Sequence, residues 1–146
     1  MGAKVELGTC AVRGIIMSKG HCLCGSVSWE YSGPETWACF CHCDTCRRNC
    51  AAPVVAFIGV RLDHFKWTGQ TPKYYASSKG VKRHFCDTCG TPMAFEAEHY
   101  AGEIHLYAAS LENPQEFKPE FHVHYEHTLD WLHMADDLPK YPNSKT

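Results

Sequence analysis

The stretch Cys39-Phe40-Cys41-His42-Cys43-Asp44-Thr45-Cys46-Arg47-Arg48-Asn49-Cys50 puts five cysteines and a histidine into one short segment. Thiols this close along a chain have no regular way to bridge one another. Cys41, Cys43 and Cys46 stand at C-x-C-x-x-C spacing, which lets a single loop supply three corners of a tetrahedron around a metal ion. Two other pairs, Cys22-Leu23-Cys24-Gly25 and Cys86-Asp87-Thr88-Cys89-Gly90, each end in a glycine directly after the second thiol. A glycine there lets the backbone turn with positive φ, so that main-chain N–H groups face the sulfurs and offset their charge. Together Cys22, Cys24, Cys86 and Cys89 offer four thiolates, the complement of a closed structural zinc that pins the first strand to the sixth.

The third group calls for different chemistry, because three protein ligands with one exchangeable position is how catalytic zinc is held. A divalent ion with three thiolates carries one net negative charge, so it makes hydroxide less readily than a three-histidine site and favours a soft ligand. An incoming thiol would lose its proton there and present its sulfur to an electrophilic carbon. Arg47 and Arg48 follow at once and could grip the carboxylates of a thiol-bearing substrate; the plainer reading makes one or both solvated residues of a short helix. Cys39, Cys50 or His42 could instead fill the fourth corner and make a second inert staple, although His42, between two ligands, is expected to point away. Cys39 and Cys50 otherwise read as buried free thiols.

These residues must be positioned by a small fold. A chain of 146 residues with 45% hydrophobic composition suits one domain. The organised pattern starts at Gly20, which gives an N-terminal extension over 1–19 that holds Cys10, a domain over 20–141 and a tail over 142–146. Met17 is an alternative start. A formal charge of −2 without a basic run gives no footprint for nucleic acid or an anionic membrane. No segment approaches the roughly 18–20 apolar residues of a membrane span, the opening lacks the pattern of a signal peptide, and Glu6 breaks the myristoylation motif. The expected location is cytoplasmic, where thiols stay reduced and clustered cysteines bind metal, and the expected partner is a small molecule.

The remaining sequence reads as short strands. Val27, Trp29 and Tyr31 alternate with polar residues before the stop at Ser32-Gly33-Pro34. Further strands are expected over 54–58, 65–69, 73–77, 81–86, 92–97 and 103–110, all rich in β-branched and aromatic residues. Helix is expected only after Cys43 and over 127–138. The fold class is therefore all-β, small antiparallel sheets packed together and stapled by metal. Phe57, Phe95, Trp29 and Trp67 read as core, and His84 and His105 as half-exposed strand positions. His122, His124 and His127 could supply a general acid or base, or be ordinary strand and surface histidines.

The segments GHCLCGSVSWEY (20–31), CHCDTCRRNC (41–50), RHFCDTCGTPM (83–93) and LYAASLENPQEFKPEFHVHYEHTLDWL (106–132) occur together and in this order. This pattern resembles the glutathione-dependent formaldehyde-activating enzyme family, which also contains the domain of centromere protein V, over roughly residues 20–141. The resemblance implies stacked antiparallel sheets like those of the zinc-containing mammalian suppressor of Sec-four. It implies two zinc ions per chain, a structural one on Cys22, Cys24, Cys86 and Cys89 and a catalytic one on Cys41, Cys43 and Cys46. The family name implies carbon–sulfur lyase chemistry that interconverts S-hydroxymethylglutathione with formaldehyde and glutathione. The run His122-Val123-His124-Tyr125-Glu126-His127 departs from the family's pattern, and the departure bears on substrate specificity. Two other functions would use the same residues: a zinc hydrolase of an imine-like electrophile, with turnover independent of thiol, and a non-catalytic binding module with two structural zincs.

Overall fold

Alternation becomes strand where it was expected. The computed structural model describes residues 17–145, so the extension over 1–16 lies outside the described residues. Trp29 and Tyr31 are buried on one face of β2 (Ser28–Ser32), with Val27 buried just before them. β2 pairs antiparallel with β1 (Met17–His21) on one side and with a third short strand, Phe65–Trp67 (β5), on the other, making a three-stranded sheet.

A larger, seven-stranded sheet holds β3 (Trp37–Cys41), β4 (Val55–Arg61), β6 (Lys73–Ser78), β7 (Val81–Phe85), β8 (Pro92–Ala97), β9 (Glu103–Tyr107) and β10 (Phe121–Val123). Its order is β10-β3-β4-β9-β8-β7-β6. Every pairing is antiparallel except β10 with β3, which run parallel. The chain reaches β10 after a long excursion rather than through a hairpin, so no turn fixes an antiparallel direction.

β4 and β9 sit near the middle of this sheet and are buried on both faces. Ile58, Val60, Ile104 and Leu106 face the small sheet and pack with Trp29, Tyr31 and Met93. Phe57 and Tyr107, on the opposite face, pack with Cys41, Cys46, Val55 and Phe121. Each such large side chain contributes on the order of 1.5–3 kcal/mol when fully buried. Two cores thus form, one between the sheets and one beneath the loop after β3. No helix among the described residues is long and apolar enough to cross a membrane.

Gly59 shows how tight this packing is. It pairs with Trp37, and a Cβ built on it would collide with the Trp37 indole and with Thr36 Oγ1. Gly59→Ala is expected to destabilise the chain by roughly 1–3 kcal/mol, seen as a lower urea midpoint with an unchanged slope.

Two sequence expectations need correction. The expected helix over 127–138 is absent: a single 3-10 turn (Tyr125–His127) gives way to an extended strap whose exposure alternates residue by residue from Trp131 to Leu138. The strap wins because residues 139–143 satisfy the outer edge of β10, with His122 N–H donating to Pro139 O at 2.8 Å and Tyr141 N–H to His122 O at 3.0 Å. A helix would draw those partners away. His84 and His105, expected half-exposed, are 9% and 6% exposed. Aromatic neighbours enclose them: Trp67 and Tyr74 around His84, and Trp37, Phe57, Phe95 and Tyr100 around His105.

Candidate metal centres

Cys22 and Cys24 lie in the turn between β1 and β2, Cys86 and Cys89 in the turn between β7 and β8. The four sulfurs all lie within 4.8 Å of one another. Cys22 to Cys24 is 3.6 Å and Cys24 to Cys86 is 3.7 Å, close to the sulfur–sulfur edge of about 3.8 Å that a tetrahedron with Zn–S bonds of about 2.3 Å requires. The donor set therefore fits a tetrahedral thiophilic ion. Gly25 and Gly90 take φ of 80° and 79°, as their place after the second cysteine suggests, and Val27 N–H donates to Cys22 Sγ at 3.3 Å. Burial pushes the Cys22 thiol up to about 11, whereas the Thr91 hydroxyl and then its amide pull Cys89 down to about 5. An ion held in this cluster would tie the small sheet to the large one.

The second cluster is assembled by β3 and the only α-helix among the described residues, α1 (Asp44–Cys50). Cys41 ends β3, Cys43 is the N-cap of α1, and Cys46 lies inside the helix. Cys43 takes the extended conformation a cap needs, and its sulfur accepts the Cys46 N–H at 3.4 Å, the role usually played by a serine or aspartate oxygen. Ala51 closes the helix in the left-handed conformation at φ 49°. The three sulfurs lie within 4.8 Å of one another, with Cys41 and Cys46 each 6% exposed and Cys43 more open. Thiols this close do not ionise alike: donation from Cys41 and Cys46 holds Cys43 well below the thiol range, and the same contacts push Cys41 far above it. Both clusters could hold a metal ion.

Among the described residues, no fourth side chain joins Cys41, Cys43 and Cys46. Cys39 is buried two residues earlier in β3. Cys50 lies beside Asn49, whose Nδ2 also donates to Tyr107 Oη at 2.9 Å. His42 turns away into the fold, as its place between two cysteines suggests. Its Nε2 meets His122 Nδ1 at 2.8 Å, and His122 Nε2 meets both Asp136 oxygens at 3.1 Å. Burial first, and the His122 ring second, lower His42 to about 4, so the ring is neutral. With His122 Nε2–H donating to the carboxylate, His122 Nδ1 accepts from His42 Nε2–H, which leaves His42 Nδ1 as a buried acceptor without a partner.

This relay fastens the ligand loop to the strap, and His42 N–H adds a bond to Val123 O at 3.1 Å. The Leu138 amide, donating to Asp136 Oδ1 at 3.0 Å, and then His122 keep the Asp136 carboxyl below its usual range. Asp136→Ala leaves the buried His122 Nε2–H without an acceptor and is expected to cost about 1–3 kcal/mol, measured by urea unfolding. His124 precedes the 3-10 turn beyond β10 in the left-handed conformation, and His127 ends that turn beside Glu126 at 3.4 Å.

The structure separates the two arginines. Arg48 is exposed and meets both Asp44 oxygens at 3.0 and 3.1 Å, a solvated helix-surface pair. Arg47 is more enclosed and donates to His42 O at 3.3 Å, with Asp44 at 3.5 Å. The guanidinium at the cluster belongs to a residue the sequence reading passed over: Arg83, 7% exposed, whose Nη1 reaches Cys46 Sγ at 3.7 Å. A signal was present. Arg83 shares its strand face with Val81 and Phe85, and a cation on an apolar strand face demands a buried anion.

A groove of about 500 Å3 is lined by Cys22, Cys50, Val55, Pro92, Tyr107 and Leu111 among others, with no aspartate, glutamate, lysine or arginine in its lining.

The chain is similar to several known proteins. It is 35% identical over 77 residues to an uncharacterized lyase of Schizosaccharomyces pombe, a match covering 53% of this chain and 56% of that protein, so the chain spans little more than half of that relative. Its fold resembles the crystal structure of a Rhodobacter sphaeroides protein, with a TM-score of 0.56 and 27% identity over 67% of this chain and 93% of the other. The model of the glutathione-dependent formaldehyde-activating enzyme family matches residues 17–127, and the chain belongs to that family.

Proposed function

We propose that the chain is a zinc-dependent carbon–sulfur lyase acting on a small thiol–aldehyde adduct of the S-hydroxymethylglutathione type. In this reading Cys22, Cys24, Cys86 and Cys89 hold a structural zinc, and Cys41, Cys43 and Cys46 hold a catalytic one. The observation that carries it is the second cluster, three sulfurs gathered within 4.8 Å with no fourth side chain among the described residues. Family membership and the lyase-named relative support the same reaction class. All cysteines among the described residues are free thiols, which suits a cytoplasmic protein.

Zinc on three thiolates supplies a soft Lewis acid that holds a sulfur ligand in the open corner. The chain's own residues set the rest. Cys41 and Cys46 would hold the ion through buried sulfurs and Cys43 through a more open one. Cleavage breaks the adduct's C–S bond, the electron pair stays with sulfur, the hydroxyl proton passes to water and the carbon leaves as the aldehyde; synthesis is the reverse. His122 is taken up by His42 and Asp136 and serves the loop's position rather than this proton.

The test is release of formaldehyde from S-hydroxymethylglutathione by the zinc-loaded protein, followed with and without added glutathione. Turnover of the adduct that is inhibited by free thiol supports the lyase. Turnover of imine substrates that ignores thiol would replace it with a hydrolase, and inactivity on both with no thiol response would leave a binding module.

A further inference from the structure

Arg83 lies within the sheet on β7 and is almost fully enclosed. Besides Cys46 Sγ, its guanidinium reaches Thr45 Oγ1 at 3.3 Å and Ser77 Oγ at 3.0 Å, and it lies 5.0 Å from the centre of the Phe95 ring. Among the described residues it has no carboxylate at ion-pair distance; the arginines and lysines that have one are others. A buried cation without a counter-charge is strongly unfavourable. The counter-charge offered to Arg83 is the sulfur cluster itself.

From this we infer that Arg83 determines which ligand the open corner accepts, favouring an anionic one, a thiolate above all, over a neutral nitrogen base. The inference rests on the zinc reading of Cys41, Cys43 and Cys46. Three thiolates and a divalent ion carry one net negative charge, which Arg83 cancels. An anionic fourth ligand then leaves a single negative charge in a buried site, whereas without Arg83 it would leave two. A neutral ligand gains nothing from this. Arg83 is thus a positioning residue that acts through Cys46 and through its charge. Its planar fork, fixed by Thr45, Ser77 and Phe95, cannot swing out to solvent as a lysine could.

Cobalt-loaded protein tests this without turnover, because thiolate-to-cobalt absorption changes when a ligand enters the open corner, while the closed four-thiolate site adds a constant background. Wild type is titrated with 2-mercaptoethanol, azide and imidazole, and Arg83→Met and Arg83→Gln follow. Wild type should take the two anions in preference to imidazole, and the absence of that preference overturns the inference with no variant needed. The variants should bind both anions roughly tenfold more weakly per loaded site, with imidazole within about twofold, and the pH of half-maximal 2-mercaptoethanol binding should rise. Anion and imidazole affinities that fall together, or do not change, would make Arg83 merely structural and overturn it. Wild type that takes neither anion in preference to imidazole overturns the inference, and wild type that takes azide but no thiol overturns both the preference for thiolate and the lyase reading.

Discussion

Cys86→Ser is expected to abolish cooperative folding rather than merely inactivate the chain. Cys86 is fully buried among the core residues between the two sheets, and its sulfur is one of four in the cluster that joins them. Structural zinc on thiolates carries an apparent binding free energy of about 10–16 kcal/mol, against a net stability of about 5–15 kcal/mol for a whole domain. A site that loses one of four thiolates forfeits enough of that energy to bring the folded state level with the unfolded one. Circular dichroism should show no cooperative melt for Cys86→Ser, and a chelator should drive the wild type toward the same state. Leu23 is the control: it stands between Cys22 and Cys24 in the facing turn of the same cluster but is 86% exposed, so Leu23→Ala should melt like wild type. A cooperative melt for Cys86→Ser within a few degrees of wild type would show that the two sheets hold together without the metal.

Cys43→Ser should do the opposite, leaving the fold intact and removing one metal ion. Serine is among the best N-cap residues, so α1 keeps its first turn when the sulfur that accepts the Cys46 N–H becomes an oxygen. A metal held by Cys41, Cys43 and Cys46, however, would lose one of only three protein ligands. Even outer-shell changes cost 10–100-fold in metal affinity or activity, so loss of a direct ligand should exceed about 100-fold in both. Metal analysis should fall from two zinc ions per chain to one, with an unchanged melt and no measurable turnover. A variant that keeps both ions, or turns over within about tenfold of wild type, would mean that the cluster is held by something other than these three sulfurs.

The two cysteine groups were legible in the sequence because short-range spacing and the following glycines are local properties, and the structure brings together the same seven thiols. β2 and β4 to β9 were legible for the same reason, whereas β1 was not, because Met17-Ser18-Lys19-Gly20-His21 holds no β-branched or aromatic run. β3 was hidden because its apolar positions include Cys39 and Cys41, which read as a free thiol and a metal ligand rather than as a strand. Burial of Arg83 was signalled by its apolar strand face, but its partner Cys46 and the His42–His122–Asp136 relay could not be read, because each depends on contacts between distant segments; 80 residues separate His42 from His122. The strap over 128–138 looked helical by composition, and only the unsatisfied edge of β10 decides otherwise.

That edge has a consequence for self-association. The large sheet ends in β6 on one side, where all six residues are exposed, and in β10 on the other. A bulge between Tyr75 and Ser78 breaks the register of β6, and Lys73 lies on the strand with Lys82 beside it on β7, which are the usual safeguards against one sheet adding to another. β10 has no such safeguard. What covers it is the chain's own return over 139–143, beyond the last residue matched by the family model. A chain cut after residue 127 would keep every cysteine of both clusters and still bare a sticky strand beside Phe121, so its solubility would depend on a segment that binds no metal at all.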